Sequence, residues 1–270
     1  MSYLTTPEGV RLRYADRGDG DRTIVLVHGW KGSHRLWDKA VHDLSRRFRV
    51  VAFDNRGMGE SDKPRGPYDF DELSDDLAFV LRELDLDDVT LVGWSMGCSI
   101  SLEYLRRHGG RVGRLMLVNG PIKLTRAPEF EWTMTEETLR GYLDDLAAGW
   151  PGSERDFLAD TLAAHGTEAD FDLLYRVGIQ TPLDIAIRVV EHQARLDHRS
   201  LLPQLGLPVL AAYGRFDPYY PVQLAEYIAS HVPNGTYVIF EESAHGPHIE
   251  ETVRFCEVVA DFARDTQARI

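Results

Sequence analysis

Thr90-Leu91-Val92-Gly93-Trp94-Ser95-Met96-Gly97-Cys98-Ser99-Ile100 joins a short apolar run to a segment, Cys98 to Arg107, that suits a helix. Inside it, Gly93-Trp94-Ser95-Met96-Gly97 is a G-x-S-x-G pattern between strand and helix, the context that gives the pattern chemical meaning. A sharp strand-to-helix turn lifts the serine hydroxyl above a sheet. The flanking glycines let neighbouring backbone pass close by, and the helix N-terminus favours developing negative charge. Ser95 is therefore the candidate nucleophile. With 23 glycines in the chain the bare pattern can arise by chance, so its weight comes from the run before it and the helix after it.

Outward from this turn, similar apolar runs recur at Ile24-Val25-Leu26-Val27, Val50-Val51-Ala52-Phe53, Leu115-Met116-Leu117-Val118 and Val209-Leu210-Ala211-Ala212. Runs apolar on both faces suit parallel strands buried between helices. Segments with helical spacing lie between them, such as Leu36, Trp37, Ala40, Val41 and Leu44, then Leu73, Leu77, Val80, Leu81 and Leu84, and last Phe255, Val258, Val259 and Phe262. This alternation implies an α/β architecture, a mostly parallel sheet with helices on both faces. Val10-Arg11-Leu12-Arg13-Tyr14 alternates apolar and polar after a turn at Pro7-Glu8-Gly9, and reads as a half-exposed antiparallel strand. The rhythm breaks after Asn119-Gly120-Pro121 and resumes near Leu207-Pro208. Residues 121–202 read as a helical insertion, leaving 1–120 and 203–270 as the core domain. The insertion's Trp132, Met134, Trp150, Phe157, Phe171 and Tyr175 either line a pocket or fill its own small core, and both readings stay open.

A serine hydroxyl needs a base, and the base needs a third group to hold its tautomer. In this architecture acid and base follow the serine in that order, on loops at the C-terminal ends of later strands. Asp217 follows the run that starts at Val209, and His245 follows Thr236-Tyr237-Val238-Ile239-Phe240. Of the ten histidines, His42, His108, His165, His192 and His198 fall in helical or insertion segments, where a solvated or locally bonded role is the default. His248, expected in the first turn of the last helix, is the nearest rival to His245. The rival position for the acid, at the end of the strand after the nucleophile helix, holds Asn119, which carries no charge. The oxyanion needs two backbone donors, and position assigns them to Met96, after the nucleophile, and Trp30, in His28-Gly29-Trp30 after the strand at Ile24 to Val27. His28 is expected to brace that loop. Candidate substrate contacts are Trp94, Trp132, Met134 and Tyr219.

Composition narrows the partners. The formal net charge is −13, with acidic residues spread along the chain and no Lys/Arg-rich run, which argues against nucleic acids and anionic membranes. The two cysteines, Cys98 and Cys256, have no metal-ligand spacing, and their scarcity suits a reducing cytoplasm. No apolar run reaches the roughly 18 residues of a membrane span, and no signal-peptide order opens the chain. Gly18-Asp19-Gly20 lacks the third glycine of a dinucleotide fingerprint, and no P-loop pattern occurs. His192 with His198, and His245 with His248, match no metal motif. No cofactor or metal is expected.

Four blocks, taken together, resemble the α/β-hydrolase fold superfamily: His28-Gly29-Trp30, Asp54-Asn55-Arg56-Gly57-Met58-Gly59-Glu60-Ser61-Asp62, Gly93-Trp94-Ser95-Met96-Gly97, and Gly214-Arg215-Phe216-Asp217 with Ala244-His245. The resemblance implies an eight-stranded sheet whose second strand is antiparallel, a helical cap after the sixth strand, and a structural role for the Asp54–Asp62 loop. Fold alone does not choose among the family's reactions. Relatives that dehalogenate alkanes or open epoxides use Asp at the nucleophile position, so Ser95 points elsewhere. A serine esterase or lactonase acting on an apolar small molecule is the expected function. Carbon–carbon bond hydrolysis of a ring-fission diketone, cofactor-free perhydrolysis, and a ligand sensor with vestigial turnover remain as alternatives. Cys98 and Ala244 replace small residues common at those positions in the family.

Overall fold

The structure, a computed structural model, describes residues 2–162 and 166–264. His165 lies outside the described residues. The core elements run β1 (Ser2–Thr5), β2 (Arg11–Arg17), β3 (Thr23–Val27), α1 (Asp38–Leu44), β4 (Arg49–Phe53), α2 (Phe70–Glu83), β5 (Val89–Trp94), α3 (Met96–Arg107) and β6 (Val112–Val118). The chain then makes α4 (Glu136–Gly149), α5 (Ser153–Ala159), α6 (Glu168–Gly178) and α7 (Leu183–Gln193) before returning to the sheet. It closes with β7 (Val209–Gly214), α8 (Val222–His231), β8 (Gly235–Phe240), α9 (Pro247–Glu250) and α10 (Thr252–Arg264).

The eight strands form one sheet in the order β1-β2-β4-β3-β5-β6-β7-β8. β2 is antiparallel to both neighbours, and the pairs from β4 through to β8 are parallel. Alternation along β3 divides the core. Val25 and Val27 pack on one face with residues of α2, α3 and α8, while Ile24 and Leu26 pack on the other with residues of α1 and α10. That two-sided burial is why the strand runs read as continuously apolar. Each such side chain contributes roughly 1.5–3 kcal/mol when removed from water. α2 begins where Asp69 accepts from the Glu72 N–H (2.9 Å), and it buries Leu73, Leu77, Val80 and Leu81 against the sheet.

The described part of the excursion between β6 and β7 is mainly helical, with isolated bridges such as Thr125 with Met134. Thr167 and Asp170 form a reciprocal cap at the start of α6. Polar contacts tie the excursion down: Lys39 to Asp170 (2.7 Å), Arg188 to Gly66 O (2.7 Å), Gln193 to Ser99 (3.0 Å) and His198 to Glu103 (3.0 Å). Among the described residues no helix is long and apolar enough to cross a membrane.

Candidate active site

Ser95 sits between β5 and α3 at φ 54°, ψ −120°, a conformation side-chain-bearing residues rarely adopt. The turn that forces it leaves no room at its flanks. A Cβ on Gly93 would meet Gly97 O at 2.5 Å, and one on Gly97 would meet Val27 O at 2.2 Å. Ser95 N–H donates to Val118 O (2.9 Å), fixing the turn to the neighbouring strand. Met96 opens α3, so its N–H has no acceptor one turn earlier within the helix. Across from it, Gly32 N–H donates to Gly29 O (3.0 Å), folding His28-Gly29-Trp30-Lys31-Gly32 into a tight turn after β3. His28 is fully buried beneath this turn. Its Nε2 accepts from Asn55 N–H (3.0 Å), so Nδ1 carries the proton and donates to Gly29 O (2.7 Å). His28 braces the loop, and burial pushes its pKa down and keeps it neutral.

His245 and Asp217 meet: the ring Nδ1 lies 2.9 Å from Asp217 Oδ2. The carboxylate is fully buried and receives further donors, Tyr219 N–H (2.8 Å) and Tyr220 N–H (3.3 Å) on Oδ1 and the Asn119 amide on Oδ2. Ser95 and His245 face the same cavity of about 380 Å³, together with Met134 and Tyr219. Its other walls include Leu124, Leu139, Tyr142, Phe157 and Val190 from the helical excursion. A narrower recess of about 50 Å³ also reaches Ser95 and His245, bounded by Gly29, Lys31 and Glu154.

The other two expected substrate contacts do not line the larger cavity. Trp94 borders only the narrow recess; its side chain is 4% exposed, and its indole N–H donates to His245 O (2.7 Å), so it braces the histidine loop. Trp132 stacks on Phe130 (5.2 Å) and Tyr227 (4.6 Å), away from both cavities, because its ring finds apolar partners on α8. His248 also differs from expectation. It belongs to the separate short helix α9, is fully buried between Trp37 (4.3 Å) and Trp94 (4.6 Å), and has its pKa pushed down to about 3 by burial and by His245. It borders neither cavity, whereas His245 borders both.

Two further groups shape the site. Asn119, at φ 42° just after β6, donates to Asp217 Oδ2 and to Ala244 O (3.1 Å) and accepts from Gly214 N–H (3.1 Å). It thereby joins the acid's loop to the histidine's. Its place at the end of the strand beside β7 is the signal; rejecting it as the acid obscured its use as the acid's partner. Lys31 and Glu154 form an ion pair buried to 2% exposure on each side chain. The ammonium lies 3.9 Å from the Trp30 ring and 4.6 Å from the Phe157 ring. Burial pushes the Lys31 pKa down to about 8 and the Glu154 pKa up. Nothing in the spacing of 31 and 154 announces this pair.

A family model described as the alpha/beta hydrolase fold matches residues 22–252. The chain belongs to the alpha/beta hydrolase fold family. It is 28% identical over 268 residues to the AB hydrolase superfamily protein YisY of Bacillus subtilis, covering 97% of this chain and 98% of that one. The non-heme chloroperoxidase CPO-A1 of Kitasatospora aureofaciens is 30% identical over 257 residues, covering 91% and 92% respectively. Among solved structures, an esterase from Exiguobacterium antarcticum superposes with a TM-score of 0.93 at 25% identity, covering 98% of this chain and 99% of that one. As in the hydrolase fold expected from the four sequence blocks, the second strand is the antiparallel one, and the helical excursion follows the sixth.

Proposed function

We propose that this chain is a serine hydrolase that cleaves a carboxylic ester or lactone of a largely apolar small molecule. The observation that carries the reading is the pairing of a strained serine and a histidine on one cavity wall, with the histidine's far nitrogen on a buried carboxylate. An ionised carboxylate only accepts, so the proton of neutral His245 sits on Nδ1 and the Nε2 lone pair is left to take the Ser95 proton. Ser95 Oγ attacks the carbonyl carbon, and the carbonyl oxygen becomes an oxyanion held by the N–H groups of Trp30 and Met96. His245 returns the proton to the leaving alkoxide. Water, deprotonated by the same histidine, then attacks the acyl-enzyme and releases the acid and free Ser95. For a lactone, acid and alcohol stay in one molecule. Residues 121–202 act as a cap over this site, which their share of the cavity wall supports. The likeness to a chloroperoxidase favours a second outcome at the same acyl-enzyme, attack by hydrogen peroxide in place of water to give a peracid.

The test is labelling combined with turnover. A fluorophosphonate is expected to add once per chain, on the peptide containing Ser95, while short aryl esters or lactones are hydrolysed faster than a ring-fission diketone. An adduct elsewhere, or faster diketone cleavage, would overturn the reading.

Asn119 serves this chemistry as a positioning residue. Asn119→Gly keeps the positive φ accessible and removes one charge-assisted hydrogen bond from Asp217, an interaction worth about 1.5–3 kcal/mol. The expected result is a fall in kcat of roughly 10- to 150-fold with little change in KM. Steady-state kinetics beside a thermal melt checks it, and unchanged kcat with a lowered Tm would assign Asn119 to folding alone.

A further inference from the structure

We propose that the cavity before Ser95 selects esters or lactones whose apolar part ends in a carboxylate, with the Arg126 guanidinium as its anchor. The inference rests on the Ser95 acyl-transfer reading and names the class of substrate for that site.

Among the described residues Arg126 is the one arginine or lysine lining the cavity, and neither Asp nor Glu lines it. Its backbone N–H donates to Met134 O (2.9 Å), and its Nε donates to Thr133 O (2.7 Å), so the side chain is directed by two neighbours that also line the cavity. Among the described residues no carboxylate pairs with it. Arg49, Arg56, Arg107, Arg199 and Arg215 all hold carboxylates. A guanidinium without an acid, on the wall of a mostly apolar cavity, has an unused edge of N–H donors that matches a carboxylate's two oxygens.

Thr138 and Gln193 line the same cavity, so its wall carries further polar side chains as well as Arg126. The cavity has Ser95 and His245 for the reacting carbonyl, apolar side chains that include Leu124, and a cationic group at Arg126. Net negative charge over the whole chain disfavours anions at long range, whereas one local unpaired cation reverses that preference at contact.

The experiment compares matched substrates. One series is the mono-p-nitrophenyl esters of linear dicarboxylic acids of increasing length, each against its methyl-capped neutral counterpart. A second series places the carboxylate on the alcohol side, as acetates of ω-hydroxy acids against their methyl esters. The wild-type protein is expected to prefer the carboxylate form by about tenfold or more in kcat/KM at one chain length in at least one series, equivalent to about 1.4 kcal/mol. Arg126→Gln retains a donor for Thr133 O and removes the charge. It is expected to reduce that preference to within about twofold, chiefly through KM, the neutral counterpart in the same variant dividing out any effect on the fold. Because Arg126 is exposed, the wild-type preference is also expected to shrink between low and high salt, a readout that needs no variant. A preference for the neutral form at every length, or a ratio untouched by both Arg126→Gln and salt, would overturn the proposal. Hydrolysis that persists in Ser95→Ala would instead overturn the acyl-transfer reading beneath it.

Discussion

Ser95→Ala is expected to lower kcat by about ten-thousand- to a million-fold while leaving the protein folded. The two halves of this expectation have separate physical grounds. Alanine keeps the Cβ that the φ 54° turn already accommodates, and the Ser95 N–H to Val118 O bond belongs to the backbone, so the elbow is preserved. What disappears is the oxygen that would carry the acyl group. His245→Ala is expected to cost about as much, since a serine hydroxyl without its base is a weak nucleophile at neutral pH. Asp217→Asn is expected to cost about ten-thousand-fold, because an amide nitrogen facing Nδ1 forces the proton onto Nε2, the atom that must accept. The double variant Ser95→Ala/His245→Ala is expected to be no slower than either single one, since the residues act as a unit. Pre-steady-state and steady-state assays with an aryl ester, beside a melting curve for each variant, check these expectations. Additive losses would show independent roles and break the mechanism.

The buried Lys31–Glu154 pair carries the second large effect. Lys31→Met removes one charge and strands the other in a site where each side chain is 2% exposed. Breaking a buried pair in this way typically costs about 3–5 kcal/mol. At about 2–4 °C per kcal/mol for a large domain, Tm is expected to fall by roughly 6–20 °C. Methionine is unbranched like lysine, so it adds no strain at the φ of 54° that residue 31 already adopts. Glu154→Leu in the same chain removes the stranded carboxylate and is expected to recover most of the loss, because an apolar pair of similar volume avoids both desolvation costs. The pH dependence has a definite sign. Burial raises the Glu154 pKa, and loss of the lysine raises it further, so the folded single variant binds a proton more tightly than the unfolded chain does. Its stability is therefore better retained near pH 5 and lost as pH rises. Calorimetry of the single and double variants at both ends of that range checks the prediction. A single variant as stable as wild type at pH 8 would show that the pair is dispensable.

This pair also joins the site to its cover. Lys31 directly follows Trp30, whose N–H is assigned to the oxyanion and whose indole donates to Ala186 O (2.9 Å) on α7. Glu154 lies on α5, and Gly178 on α6 leaves it space, since a Cβ there would meet Glu154 Oε1 at 2.5 Å. The loop at Trp30 and Lys31 is thus held by the helical excursion as well as by the sheet.

Local patterns made much of this legible. Continuous apolar runs and helical spacing follow from burial on both faces of a parallel sheet, and the G-x-S-x-G turn needs its glycines because backbone oxygens crowd both flanks. Ser95, Asp217 and His245 follow strands β5, β7 and β8, so their candidacy could be read from residue type and chain order. The surroundings of Trp94 and Trp132 were not legible, because an aromatic ring has the same local signature whether it meets a substrate or a neighbour. Only the folded chain shows one under His245 O and the other on Tyr227. The partners of Asn119, the Lys31–Glu154 pair and the unpaired Arg126 were invisible for a related reason. Their meaning lies in which groups, 98 residues away for Asp217 and 123 for Glu154, the sheet and the excursion bring within hydrogen-bond reach, or fail to bring. The sequence by itself determined the sheet, the elbow and the candidate reacting groups, because backbone sterics and strand burial act between near neighbours. Tertiary structure alone decided what surrounds those groups, since long-range contact, burial and the pairing of charges arise only when distant segments are packed together.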